Sequence, residues 1–366
     1  MKKKLALIVI SLDECFSEKG FSGGGHKVTK NLIIGLIESN LFEIDIFAQK
    51  GKPWTNTVEG INSITILNKK TFLKNLQEKL KEKNYDYILS SDILLPFANN
   101  LIHSNSSKYK SKNGKNWLMS QVLKIYNYKK INNQEKNLPK DKAIFTVSES
   151  LKKDYVENYR LDENKVFAVH PAVDEKLEFV TPSFKEDFTI GSMAGGGLNK
   201  GGYLLIFALM LLPESCRLKA KIIFPKIKKS LFFKLMIYLL GLKKRIELLP
   251  KQADMNAFYK TIDCYVLPSL NEAFGLVVTE AAANFKPSLV SSTTGVRELI
   301  IDGENGFVFD REKNPVKNLK EKLVEISEIY FNDWENFVEI SKNAHEISTK
   351  LDWKKFTGTI IENMAE

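Results

Sequence analysis

From end to end the chain alternates short β-branched runs with longer stretches whose apolar side chains recur every three to four residues, and this rhythm restarts once near the middle. Such alternation builds parallel sheets with helices on both faces, because one parallel strand follows another only through a crossover. In the first half the spacing predicts strands over Leu5–Ile10, Phe42–Ala48, Ile61–Leu67, Tyr85–Leu89, Ala143–Val147 and Val166–Val169. Helices are expected over Lys27–Ser39, Thr71–Lys83, Trp117–Tyr128 and Leu151–Tyr159. The charged, proline-bearing stretch Asp174–Asp187 reads as an interdomain linker. Beyond it, strands are predicted over Phe188–Met193, Ala220–Phe224, Ile246–Leu249, Cys264–Leu267 and Ser288–Val290. The matching helices are Gly202–Leu212, Ser230–Leu240, Met255–Lys260, Gly275–Asn284 and Val316–Tyr330. The expectation is an α/β chain with domains over 1–178 and 187–348 that face a central cleft, ligands lying beyond the carboxyl ends of the strands.

Composition narrows the class. A chain of 366 residues is too long for one compact core, and 43% apolar with 27% charged residues excludes wholesale disorder. Cys15, Cys216 and Cys264 lie far apart with no C-x-x-C pair, which excludes a disulfide scaffold, offers no zinc site and suits a reducing compartment. The six apolar residues Leu5–Ile10 fall short of a secretory segment, and no run approaches the ~18 needed to span a bilayer. A cytoplasmic, water-soluble protein is expected.

The net charge of +10 is regional. Residues 105–140 hold nine lysines and one acid, Glu135, whereas residues 217–245 hold ten basic residues and no acid. Two readings stay open for each patch: a solvated lysine-rich surface, or a face for an anionic partner such as nucleic acid, acidic lipid or a phosphorylated substrate. In the second patch, Leu231–Leu240 is apolar and bracketed by cations. It fits either a core-packed crossover helix with basic ends or a helix lying in a membrane interface.

Three glycine-bearing turns follow strands and open helices. In Ser22-Gly-Gly-Gly-His26, Gly24 and Gly25 let backbone amides approach a ligand, or form a plain flexible turn. The loop lacks the G-x-G-x-x-G pattern and its following acid, which argues against a nicotinamide site. In Gly191–Gly202, Lys200 at the mouth of a helix suits a diphosphate or simply faces solvent, and the spacing is not that of a Walker A loop. The third segment, Asp263–Ala281, is the most specific. Its strand ends at Leu267, a loop carries Glu272, and a helix starts near Gly275. The first-turn amides of Phe274, Gly275 and Leu276 are expected to donate to a phosphate. Glu272 and Glu280 are spaced to grip different hydroxyl groups of one elongated ligand, or serve as a loop acid and a paired helix residue.

The segment Pro268-Ser-Leu-Asn-Glu-Ala-Phe-Gly-Leu-Val-Val-Thr-Glu280 resembles the E-x7-E signature of family 4 retaining glycosyltransferases. Supporting pieces fall in order along the chain: Gly23–Gly25, Val147–Ser150, Val169–Asp174, Lys200-Gly201, Ile301–Phe307, and Asp352-Trp353 ahead of a last helix. The resemblance implies a GT-B fold of two Rossmann-like domains, with residues 349–366 packing back on the first. It implies that Glu280 holds the ribose hydroxyls of a nucleotide, Glu272 contacts the donor sugar, the amides after it bind the distal phosphate, and Lys200 neutralises the leaving diphosphate. His103 matches a histidine that approaches the transferred sugar, or is an unrelated histidine. The expected donor is a nucleotide-diphosphate sugar, with no other cofactor and no metal, and the acceptor a glycan or a lipid-linked molecule. Peripheral attachment to an anionic membrane through the basic patches is expected as well.

The chain departs from the family in two places. Where members carry an arginine six residues before the lysine, this chain has Ala194, with Lys226 and Arg297 as candidate replacements. The P-N-G stretch reads His170-Pro171-Ala172. The rival readings are an epimerase or phosphorylase on the same fold, and a basic nucleic-acid-binding module in which Tyr109, Trp117, Tyr126 and Tyr128 interleave the lysines; the latter segment holds no known nucleic-acid motif.

Overall fold

The computed structural model describes residues 2–16, 23–50, 59–112, 117–174, 179–193, 198–213, 216–224 and 227–364. The chain divides into two compact units, one of Met1–Pro171 with Asp352–Glu366, the other of Ala172–Leu351. In the first, seven strands form one sheet: β1 (Lys3–Ser11), β2 (Phe42–Lys50), β3 (Ile61–Ile66), β4 (Tyr87–Ser91), β5 (Asn99–Ile102), β6 (Ile144–Thr146) and β7 (Val166–Ala168). Their order is β3-β2-β1-β4-β5-β6-β7, and every pair is parallel. The second unit has β8 (Phe188–Ser192), β9 (Leu218–Phe224), β10 (Ile246–Pro250), β11 (Cys264–Leu267), β12 (Ser288–Ser291) and β13 (Phe307–Phe309). These run β10-β9-β8-β11-β12-β13, again all parallel.

Burial explains why these runs become central strands. Leu5, Ala6, Leu7, Ile8 and Val9 are all fully buried, so β1 is covered on both faces. In the second unit Phe188, Ile190, Ile222, Phe224, Val266, Leu289 and Phe307 join one core with Leu205, Leu209, Leu319, Leu323 and Tyr330 from the flanking helices. The last helix, Trp353–Met364, turns Phe356, Thr357 and Ile360 inward and packs on the helix Gly24–Glu38 of the first unit. Strands β5 and β13 and the helix Trp334–Lys350 were not anticipated from spacing.

Candidate active site

In both sheets the strand order reverses beside the first strand, β1 lying between β2 and β4, and β8 between β9 and β11. Loops leaving the two strands at such a point diverge and open a crevice beyond their carboxyl ends. Within the first unit the loops after β1, β4 and β5 bring candidate residues together, and within the second unit those after β8 and β11 do.

Lys200 ends a short 3-10 turn, Leu198–Lys200, in the loop after β8. The Leu270 N–H donates to the Asn199 carbonyl at 2.7 Å, stitching this loop to the one after β11. Gly201 sits at φ +71°, and a Cβ there would fall 2.0 Å from the Pro268 carbonyl oxygen. Only glycine permits that approach. The result places Lys200 Nζ 2.6 Å from Glu272 Oε2. Both side chains are partly exposed, so the pair adds little to stability; its importance is positional.

Glu272 is held by its backbone. Its carbonyl accepts from the Gly295 N–H at 2.9 Å, and the Phe274 carbonyl accepts from the Val296 N–H at 2.8 Å. The Ser291 hydroxyl donates to the Ser269 carbonyl at 2.6 Å. The loop is thus clamped to the segment leaving β12. The helix begins at Leu276, with Gly275 as its N-cap, so Phe274 lies just ahead of the first turn. The N–H groups this helix start leaves without an intrahelical partner are therefore those of Gly275, Leu276 and Val277, since the Val278 N–H donates to the Gly275 carbonyl at 2.9 Å.

Glu280 lies on that helix, Leu276–Ala283. The buried Tyr259 hydroxyl lies 3.2 Å from Glu280 Oε2 and 3.1 Å from the Val277 carbonyl oxygen. Burial, then the Glu280 charge, pushes the Tyr259 phenol well above its ordinary value, so it remains a donor. Buried Tyr265 accepts from the Met193 N–H at 3.1 Å. Its phenol is raised chiefly by burial and further by the charges of Glu280 and Glu272, against the opposing Met193 N–H. Both carboxylates therefore act on one buried ring.

Of the proposed replacements for the absent arginine, Lys226 and position 194 itself lie outside the described residues. Arg297 is exposed and donates to the Ile300 carbonyl at 3.0 Å within its own turn. Sequence reasoning missed Arg311, whose Nε lies 3.4 Å from the Pro268 carbonyl oxygen, the atom against which Gly201 packs. Burial lowers its guanidinium from the ordinary value. No spacing signal ties Arg311 to Lys200; only the fold does.

In the first unit the helix begins at Gly24, so Gly24 and Gly25 lie in its first turn rather than in a loop before it. His103 Nδ1 lies 2.9 Å from Asp92 Oδ1. A Cβ on Gly25 would meet Asp92 Oδ2 at 3.0 Å and His103 Nδ1 at 3.2 Å, so Gly25 leaves room for this pair. Asp92, not singled out from sequence, occupies left-handed space at φ 66° at the end of β4, a conformation aspartate tolerates. Burial raises its carboxyl, but the charge and hydrogen bond of His103, with His26 beyond, outweigh this and hold it below the usual carboxylate range. His26 Nε2 lies 2.8 Å from Glu14 Oε2, bracing the same turn. Among the described residues, no group of three or more His, Cys, Asp or Glu side chains is arranged to hold a metal ion, and no helix is long and apolar enough to cross a membrane.

Two all-parallel Rossmann-like units, each with a crevice at its own switch point, define the GT-B class. Solved structures share this fold: the glycosyltransferase WaaG, involved in lipopolysaccharide biosynthesis, has a TM-score of 0.72 at 15% identity over 98% of this chain and 99% of its own. HepE of Anabaena, solved with UDP-glucose, has a TM-score of 0.70 at 16% identity over 98% of both chains. Residues 173–346 match the family model of glycosyl transferases group 1. That stretch lies in the second unit and carries Lys200, Glu272 and Glu280. An uncharacterized glycosyltransferase of Methanocaldococcus jannaschii is 35% identical over 112 residues, 30% of each chain. A D-inositol 3-phosphate glycosyltransferase of Xylanimonas cellulosilytica is 27% identical over 182 residues, 43% of this chain and 42% of that protein. The matched stretches thus span less than half the length of these curated relatives.

Proposed function

We propose that the protein transfers a sugar from a nucleotide-diphosphate donor to a hydroxyl group of a glycan or lipid-linked acceptor, with retention at the anomeric carbon and without a metal ion. The reading rests on the Lys200–Glu272 contact at the carboxyl ends of β8 and β11, in the stretch that matches glycosyl transferases group 1. An ammonium has three donors, so Lys200 can hold a phosphate oxygen while keeping Glu272 in place. As the bond from the anomeric carbon to the diphosphate breaks, negative charge grows on the leaving group. Lys200 and the N–H groups opening the helix Leu276–Ala283 are preorganised to stabilise it. Glu272 accepts from sugar hydroxyls, while Glu280, oriented by Tyr259, accepts from the ribose. His103, positioned by Asp92, serves the acceptor side. The acceptor oxygen bonds to the anomeric carbon, and its proton leaves with the diphosphate. HepE was solved with UDP-glucose, which supports a sugar nucleotide as donor here.

Thermal unfolding of the full chain against a panel of sugar nucleotides tests the donor, since a ligand at 100 times its Kd adds about 2.7 kcal/mol. Product analysis with donor alone and with donor plus acceptor then separates transfer from epimerisation or phosphorolysis. If no sugar nucleotide raises the transition, the reading fails.

A further inference from the structure

The helix Ile227–Leu239 connects β9 to β10, and from Leu231 to Leu239 every residue but Lys234 is apolar or aromatic, a pattern that belongs to a helix enclosed by protein or lipid. Among the described residues of this unit it is enclosed on one side only. Phe233 and Ile237 are buried, with the Phe233 ring centred 4.6 Å from those of both Tyr203 and Phe224. The opposite side carries Leu231 (73% exposed), Leu235 (55%), Tyr238 (59%) and Leu239 (72%). At 3.6 residues per turn these four, with exposed Lys234, occupy one continuous arc of about 140°. Single exposed leucines are ordinary; four large apolar side chains on one helical face mark an interaction surface.

Charge indicates what covers it. Lys234 lies inside the arc, and exposed Lys243 sits with its ammonium 4.4 Å from the centre of the Tyr238 ring. No acidic residue occurs from 217 to 245. A water-facing apolar stripe set among cations, without an acid, complements a surface whose outer layer is anionic and whose interior is hydrocarbon. We infer that this helix of the second unit docks the protein on anionic membrane, Leu231, Leu235 and Leu239 entering the acyl boundary while Lys234 and Lys243 meet lipid phosphates. The inference is independent of the sugar-transfer reading and holds whatever the unit binds elsewhere.

Co-sedimentation of the full chain with phosphatidylglycerol/phosphatidylcholine vesicles, and with phosphatidylcholine vesicles alone, tests it. The protein is expected to pellet with the mixed vesicles and to remain in solution with the neutral ones. Partitioning is expected to fall when salt rises from about 0.1 to about 0.5 M, as the Debye length shortens. Leu235→Glu/Leu239→Glu is expected to lower the partition coefficient by at least about tenfold. Lys234→Glu/Lys243→Glu gives a second arm whose variants leave the apolar side chains intact. Absence of pelleting, pelleting that ignores both double variants, or a shift from dimer to monomer in size exclusion caused by the leucine variants would overturn the inference, the last by showing a second copy as the occupant.

Discussion

The Gly201 turn gives the sharpest test of how the fold sets Lys200. Alanine at position 201 meets two costs. At φ +71° an L-residue is strained by about 1–2 kcal/mol, and moving its Cβ from 2.0 Å of the Pro268 oxygen to normal contact adds about 1–3 kcal/mol. Gly241 in the same unit has φ +70° and nothing within 4 Å of its Cβ position, so Gly241→Ala meets the first cost alone. The two variants share whatever alanine does to the unfolded chain, and their difference isolates the collision. Gly201→Ala is therefore expected to melt about 2–12 °C below Gly241→Ala, at about 2–4 °C per kcal/mol for a unit of this size. The same displacement separates Lys200 from Glu272, so stabilisation by a nucleoside diphosphate should shrink in Gly201→Ala and persist in Gly241→Ala. Scanning calorimetry with and without UDP reads both. Equal melting and equal ligand shifts in the two variants would refute the claim that the Pro268 carbonyl sets the lysine.

Lys200→Ala and Glu272→Gln should each lower transfer by at least about tenfold, the loss of one charge-assisted contact, while melting shifts little because the pair is partly exposed. Tyr259→Phe should weaken nucleotide affinity by about three- to tenfold through loss of the hydrogen bond that orients Glu280, with titration calorimetry as the readout. Arg311→Ala should weaken diphosphate binding more than Arg297→Ala, since Arg311 adjoins the Pro268 carbonyl whereas Arg297 closes its own turn. In the first unit, burial raises the Asp45 carboxyl, but hydrogen bonds from Lys83, Ser63, Asn62 and Tyr85 hold it below its ordinary value. Its stabilising contribution is present above the unfolded carboxylate range and is lost as pH falls through the folded value. Asp45→Asn should consequently be less stable at neutral pH and show a flatter acid limb in pH-dependent unfolding.

Central strands such as Leu5–Ile10 were legible because burial on both faces demands an unbroken apolar run. Strand β5 was not, because it opens with Asn99 and Asn100. Their side chains bond to the backbone instead, Asn99 Oδ1 accepting from the Ala143 N–H and Asn100 Nδ2 donating to the Leu95 and Ala98 carbonyls. Strand β13 is three residues long, too short for periodicity to register. The helix expected over Trp117–Tyr128 continues to Asn137, past the point where its apolar spacing gives way to polar residues. The contact between Lys200 and Glu272 joins residues each suggested by a local motif. Asp92, Tyr259 and Arg311 gain meaning only from partners distant in sequence, and no local pattern encodes that.

The fifteen residues Asp352–Glu366 belong with the opening 171 rather than with the stretch that precedes them. The backbone therefore passes from one unit to the other and returns, so the halves are tethered by covalent strands at two separate points. A protease that nicks the chain once near residue 172 would leave two fragments still joined, with the tail of the longer one seated on the helix Gly24–Glu38 of the shorter. A nicked preparation should travel as one species through a sizing column until denaturant peels that final helix away.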